Sequence, residues 1–195
     1  MIHRKIWANA QQNEQADQLR ALIDRSNDLI GQGVDKRSEF FKEIKDALGG
    51  NLSLIICGGA PLAGFYGQEF RDIGILLLQG YGITECAPLV SVNRNRYYKD
   101  GSVGLPIACC SVAIEERDES GEGEIRVKGE NVMLGYYNNV KATEEVMCAG
   151  WFCTGDIGKI DEEGFLFITG RKKNFIVLSN GKNIYPEEIE GYLMR

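Results

Sequence analysis

The chain has 195 residues, 22 Lys and Arg against 28 Asp and Glu for a formal charge of −6, with 44% hydrophobic and 26% charged residues. That composition suits one full domain or two small ones and is that of an ordinary soluble protein, not a disordered tail or a membrane span. The acidic balance excludes a general nucleic-acid binder, and the single histidine, His3, leaves nothing from which to build a Ser-His-Asp triad or a His-rich zinc site.

From Asn9 to Leu48 polar residues alternate with apolar ones at helical spacing (Leu19, Leu22, Ile23, then Phe40, Phe41, Ile44, Leu48), which predicts two helices. Gly31 and Gly33 end the first and Gly49-Gly50 the second. Leu52 to Cys57 is an apolar run too short for a helix and reads as a buried strand running into the turn Gly58-Gly59-Ala60-Pro61. A helix near Leu62 to Arg71 leads to a second apolar run, Ile75 to Leu78, closed by Gln79-Gly80-Tyr81-Gly82. This β-turn-α-β-turn order predicts the repeat of a parallel sheet, with both glycine-rich turns at the strand C-termini where ligands of such sheets bind.

After Pro88 the texture changes. Val112 to Glu115, Glu124 to Lys128, Ile157 to Ile160 and Phe165 to Ile168 are short alternating segments between turn signals, as expected of small antiparallel strands in an irregular barrel or sandwich. Lys141 to Met147 predicts one short helix. Beyond Gly170 come the basic cluster Arg171-Lys172-Lys173, a strand at Phe175 to Leu178, a turn at Asn180-Gly181, and Pro186-Glu187-Glu188 opening a helix. The six cysteines (Cys57, Cys86, Cys109, Cys110, Cys148, Cys153) form no C-x-x-C pair and read as reduced thiols of a cytoplasmic protein. No charged-then-apolar leader opens the chain and no apolar run approaches ~18 residues, so membrane contact is expected only at the surface.

Each chemistry-bearing segment has two readings by itself. The glycine turns are tight connections, or their free N–H groups line a flat ring with Tyr81 stacked on it. Thr84-Glu85 is a helix cap, or a hydroxyl and carboxylate suited to Mg²⁺ held against phosphates. Asp156 closes a turn, or accepts both hydroxyls of a ribose. Arg171-Lys172-Lys173 is a solvated cluster, or contacts phosphate and ribose.

Their order along the chain decides between these readings. Gly58-Gly59-Ala60-Pro61, Gly80-Tyr81-Gly82-Ile83-Thr84-Glu85, Gly104-Leu105-Pro106, Gly123-Glu124-Ile125-Arg126-Val127-Lys128-Gly129, Gly135-Tyr136-Tyr137, Gly150-Trp151-Phe152-Cys153-Thr154-Gly155-Asp156, and Gly170-Arg171-Lys172-Lys173 with Gly181-Lys182-Asn183-Ile184-Tyr185-Pro186-Glu187-Glu188-Ile189-Glu190 resemble the signatures of the AMP-binding, adenylate-forming superfamily. That superfamily includes acyl-CoA synthetases, luciferases and peptide-synthetase adenylation domains. The resemblance covers about Leu52 to Arg195, and Gln79 to Glu85 with Ser179 to Ile184 look most like the branch that activates long-chain fatty acids.

The resemblance implies an α/β plus β fold: residues 1–88 as the end of a parallel α/β AMP-binding subdomain, 89–170 as a small distorted antiparallel β-barrel, and 171–195 as the hinge and the start of a mobile C-terminal domain. It also implies roles. Gly59, Ala60 and Pro61 would line the adenine, with Tyr81 stacked on it, Gly80 and Gly82 among the nucleotide-binding residues and Ile168 as an apolar contact. Thr84 would touch phosphate, Glu85 hold Mg²⁺, and Asp156 and Arg171 meet the ribose. Lys173 would be the hinge, and Gly181 would let the CoA pantetheine pass. The implied substrates are a fatty acid, ATP and CoA, with Mg²⁺ as cofactor and no nucleic-acid partner. The family's glycine-, serine- and threonine-rich phosphate loop does not occur between Met1 and Leu52, its terminal adenylation lysine is absent, and Val177 stands where many members carry a lysine. Little ligase activity is therefore expected of these residues alone. A non-catalytic nucleotide-binding module and an adenylation domain loading a carrier protein are the competing expectations.

Overall fold

A computed structural model of the chain describes residues 2–60 and 62–172, together with the backbone of 176–177 and 183–184. Two compact units account for the chain: Met1–Ile56 with Gly64–Leu77, and Cys57–Ala63 with Leu78–Arg195.

The first unit is built on helices, α1 (Ile2–Gln12), α2 (Ala16–Gly31), α3 (Arg37–Phe40), α4 (Lys42–Ala47) and α5 (Phe65–Asp72). The two N-terminal helices expected from periodicity are thus four. Glu14 takes a left-handed conformation (φ 57°) and separates α1 from α2. Phe41, 1% exposed, leaves helical geometry (φ −109°, ψ 25°) between α3 and α4, so burial of one aromatic ring outweighs helix continuation. Strand β1 (Leu54–Cys57) and the start of β2 (Leu76–Gly82) supply the β component, the Leu76 N–H donating to the Ser53 carbonyl at 2.8 Å. His3 on α1 hydrogen-bonds Glu69 on α5 and meets the Tyr66 ring edge-on.

The second unit is antiparallel. β2 pairs β3 (Leu89–Val92), with Gly80 opposite Val92 and Tyr81 opposite Ser91, and β3 pairs β4 (Leu105–Pro106). Gln79 to Gly82 is therefore the end of a strand and not the turn after it; β2 lies between β1 and β3 in the sheet order, and β3 pairs this end of it antiparallel. Glycine is needed because β3 lies so near: a Cβ on Gly82 would stand 2.2 Å from the Pro88 carbonyl oxygen.

A second sheet holds β5 (Cys110–Glu115), β6 (Gly123–Gly129), β7 (Met147–Cys148), β8 (Trp151–Ile160) and β9 (Leu166–Arg171), in the order β5-β6-β8-β7 with β9 also on β8. The ten-residue β8 carries β7 along its first half and β9 along its second. Helix α6 (Val140–Val146) precedes β7, and the Asn139 side chain caps it by accepting from the Ala142 N–H at 3.1 Å. Beyond β9 the backbone pairs β10 (Ile176–Val177) with β11 (Asn183–Ile184). Alternate residues of both sheets (Tyr81, Val90, Ile114, Ile125, Val127, Phe152, Leu166) meet in one core against which Ile168 packs. The six cysteines are all free, and among the described residues no helix is long and apolar enough to cross a membrane.

Candidate functional site

Most of the described candidate residues gather in the second unit around the end of β2, the middle of β8 and the end of β9. The segment after β1 lies against β2: a Cβ on Gly58 would be 3.3 Å from the Gly80 carbonyl oxygen, and the Gln79 side-chain amide donates to the Leu62 carbonyl at 3.2 Å. Gly59 has φ +87° with open space around its α-carbon, so the backbone at this point is bare. Ala60 follows, while Pro61 lies outside the described residues.

One residue beyond Gly80, the Tyr81 side chain is 8% exposed and its hydroxyl donates to Asp156 Oδ2 at 2.5 Å. Burial, and then the Asp156 carboxylate, push the Tyr81 phenol well above the ordinary phenol range, so the group is a neutral donor at any physiological pH. Asp156 itself is 5% exposed. Its other oxygen, Oδ1, forms an ion pair with Arg171 Nε at 3.1 Å, the two residues being register partners across β8 and β9. The arginine side chain is 66% exposed, so this ion pair is the one solvent reaches.

The backbone around Asp156 is held from below. The Thr154 hydroxyl donates to the Ile125 carbonyl (2.7 Å) and accepts from the Asp156 N–H (3.1 Å). Gly155, at φ +72°, donates its N–H to Glu124 Oε1 at 3.1 Å. Glu124 is buried, and its second oxygen takes Lys172 Nζ at 2.9 Å. The hydration lost on burying Glu124 is thus compensated by an N–H and an ammonium, and Lys172, raised by that contact, stays protonated.

Thr84 and Glu85 open a short 3₁₀ turn, Thr84–Cys86, directly after β2. Thr84 is exposed, and Glu85 Oε1 accepts from the Tyr136 hydroxyl at 3.0 Å while its carbonyl accepts from the Met133 N–H at 2.7 Å. Tyr136 is positioned in turn from α6, its N–H donating to Thr143 Oγ1 at 2.9 Å. Ile168 sits half-buried on β9 beside the core, opposite Gly158 in register. Lys173 and Gly181 lie outside the described residues.

The fold therefore brings Gly58, Gly80, Tyr81, Asp156 and Arg171 together, and places Glu85 on a separate pair with Tyr136. Three supporting residues had been given no individual role by sequence. All three stood inside family-like segments, Gly135-Tyr136-Tyr137, Gly123 to Gly129 and Gly170 to Lys173, but that Glu124 and Lys172 meet had no local signal, since they come together only through register across β6, β8 and the residue after β9.

The matched family model, described as AMP-binding enzyme, covers residues 7–137, more than half of the chain. The chain belongs to the AMP-binding enzyme family. It is 40% identical over 153 residues to the long-chain-fatty-acid–CoA ligase FadD15 of Mycobacterium bovis, covering 78% of this chain and 25% of that protein. It is 44% identical over 161 residues to a long-chain-fatty-acid–CoA ligase of Salmonella typhimurium, covering 79% and 28%. A similar solved structure is the O-succinylbenzoate coenzyme A synthetase of Bacillus subtilis in complex with ATP and magnesium ion, with a TM-score of 0.67, 34% identity, and coverage of 78% of this chain and 35% of that one. The chain spans about a quarter of the length of the curated relatives it matches.

Proposed function

We propose that these residues are the nucleotide-recognising part of an ATP-dependent ligase that joins a long-chain fatty acid to CoA, releasing AMP and pyrophosphate. The observation that carries the reading is Asp156: a buried carboxylate with one oxygen held by Tyr81 and the other turned to an exposed arginine, while Gly59 stands open on the segment that packs on Gly80 through Gly58. A vicinal diol suits such an acceptor pair, and a flat ring suits a backbone without side chains. The names of the relatives at 40% and 44% identity support the fatty-acid class.

The chemistry follows from what a carboxylic acid lacks. Its oxygen is a poor leaving group, so the acid first attacks the α-phosphorus of ATP, expelling pyrophosphate, and the CoA thiol then displaces AMP from the acyl-adenylate. The protein's share is positioning and charge neutralisation, which needs no histidine base. Mg²⁺ commonly takes one or two carboxylates plus substrate phosphates. Glu85 beside the exposed Thr84 hydroxyl fits that demand, and among the described residues no cluster of three or more His, Cys, Asp or Glu forms a closed protein cage. Glu85 would hold the ion and Thr84 would touch phosphate, while Asp156 and Arg171 orient the ribose.

On this reading residues 1–88 close the large AMP-binding subdomain, 89–170 form its barrel-like part, and 171–195 begin the hinge, with Lys173 as pivot, and the small domain. Calorimetric titration of the chain with AMP tests it: binding is expected, and Asp156→Ala should abolish it. Fatty-acid-dependent pyrophosphate exchange in the longer protein, lost in Glu85→Ala, tests the ligase chemistry. Exchange supported only by an acid of another class would overturn the fatty-acid assignment.

A further inference from the structure

Tyr81 offers the site a hydroxyl as well as a ring. Its side chain is 8% exposed and belongs to the same core as Val90, Ile125 and Phe152. What it offers the site is its hydroxyl, at 2.5 Å from Asp156 Oδ2, within the length of an O–H···O⁻ bond to a charged acceptor. The two oxygens of Asp156 are thus held unequally. Oδ2 has a rigid donor on a strand that β3 pairs at Gly80 and Tyr81; Oδ1 has a two-thirds exposed arginine at the end of β9. Together with the Thr154 hydroxyl under the Asp156 N–H, this locks the plane of the carboxylate before any ligand arrives. Pre-set orientation removes ordering cost from binding.

Resting on the nucleotide reading above, we propose that Tyr81 is a positioning residue acting through its hydroxyl: it fixes the Asp156 carboxylate for a vicinal diol, and so sets preference for a ribonucleotide over one lacking both ribose hydroxyls. The ring contributes packing; the hydroxyl contributes selectivity.

Tyr81→Phe separates the two, because it keeps the ring and removes only the oxygen. Wild-type chain, Tyr81→Phe and Asp156→Asn are titrated calorimetrically with AMP and with 2′,3′-dideoxy-AMP, folding being checked by circular dichroism. Wild type should favour AMP by about 10- to 100-fold, the range of one or two hydrogen bonds to a charged group. Tyr81→Phe should weaken AMP about tenfold and leave dideoxy-AMP unchanged, and adding it to Asp156→Asn should change nothing further. Equal weakening of both nucleotides, or no change in either, overturns the proposal while leaving nucleotide binding in place. A wild-type chain that binds neither overturns the nucleotide reading itself, and this inference with it. A second measurement needs no variant: the wild-type preference should persist through pH 10.0, the ordinary phenol value, since the Tyr81 phenol lies above it. Collapse of the preference at that pH overturns the proposal.

Discussion

The Tyr136 hydroxyl donates to Glu85 Oε1 at 3.0 Å, joining residues 51 apart in sequence. Partial burial, then the Glu85 carboxylate, raise the phenol of Tyr136 above its ordinary value. Replacing Glu85 by Gln removes the charge and leaves the burial, so the Tyr136 phenol should ionise at lower pH than in wild type. Near-ultraviolet phenolate absorbance, with Tyr136→Phe subtracted to isolate this ring, measures the shift; an unchanged titration would show that the pair does not form.

Two glycines with the same backbone angle should differ sharply on substitution. Gly59 and Gly104 both have φ +87°, but nothing lies within 4 Å of a Cβ on Gly59, while a Cβ on Gly104 would stand 2.0 Å from the Val92 carbonyl carbon and 2.1 Å from the Asn93 nitrogen. Gly59→Ala should cost about 1 kcal/mol, the strain of a left-handed alanine. Gly104→Ala adds a backbone clash and should cost more than about 3 kcal/mol. Urea unfolding of the two variants reads the difference.

Alkaline pH should destabilise the chain in part through Tyr81. The folded-state phenol lies above the unfolded value of 10.0, so the contribution is fully present below pH 10.0 and is lost as pH rises toward the folded value, when the unfolded chain releases a proton that the folded one retains. The slope from this group approaches about 1.4 kcal/mol per pH unit. Tyr81→Phe should flatten the stability–pH curve above pH 10.0 by that amount, measured by urea unfolding at several alkaline pH values.

The six free thiols should react in an order set by exposure and protonation. Cys109 and Cys148 are exposed, whereas Cys86 is fully buried, with its thiol pushed up to about 11 by burial. Cys153 is half-buried and raised to about 11, first by burial and then by the neighbouring Cys148 thiol. Because the thiolate is the reacting species, iodoacetamide at neutral pH followed by peptide mapping should find Cys109 and Cys148 modified first and Cys86 last. Early labelling of Cys86 would contradict its place in the core.

Much of the local structure was legible from short-range signals. The apolar run from Leu52 to Cys57 is β1 at Leu54–Cys57, and the residues around Lys141 to Met147 form α6 at Val140–Val146. The errors came where packing overrode a local cue. Gln79 to Gly82 looks like a turn because two of its four residues are glycine, yet those glycines serve the close approach of β3, and the strand continues through them. Phe41 sits at a helical position, yet the helix breaks there to bury its ring.

By itself the sequence determined the ordered set of segments that place the chain in its family, together with the residue types able to meet a nucleotide: a backbone without side chains at Gly58-Gly59, a carboxylate at Asp156, a cation at Arg171. Only the tertiary structure decided which groups meet. Tyr81 reaches Asp156 across 75 residues, Lys172 reaches Glu124 across 48, and Tyr136 reaches Glu85 across 51. Those pairings depend on strand register and on which face each strand turns inward, where a slip of one residue would exchange the faces. Register is set by burial of the shared core, a property of the whole unit that no short stretch of the chain contains.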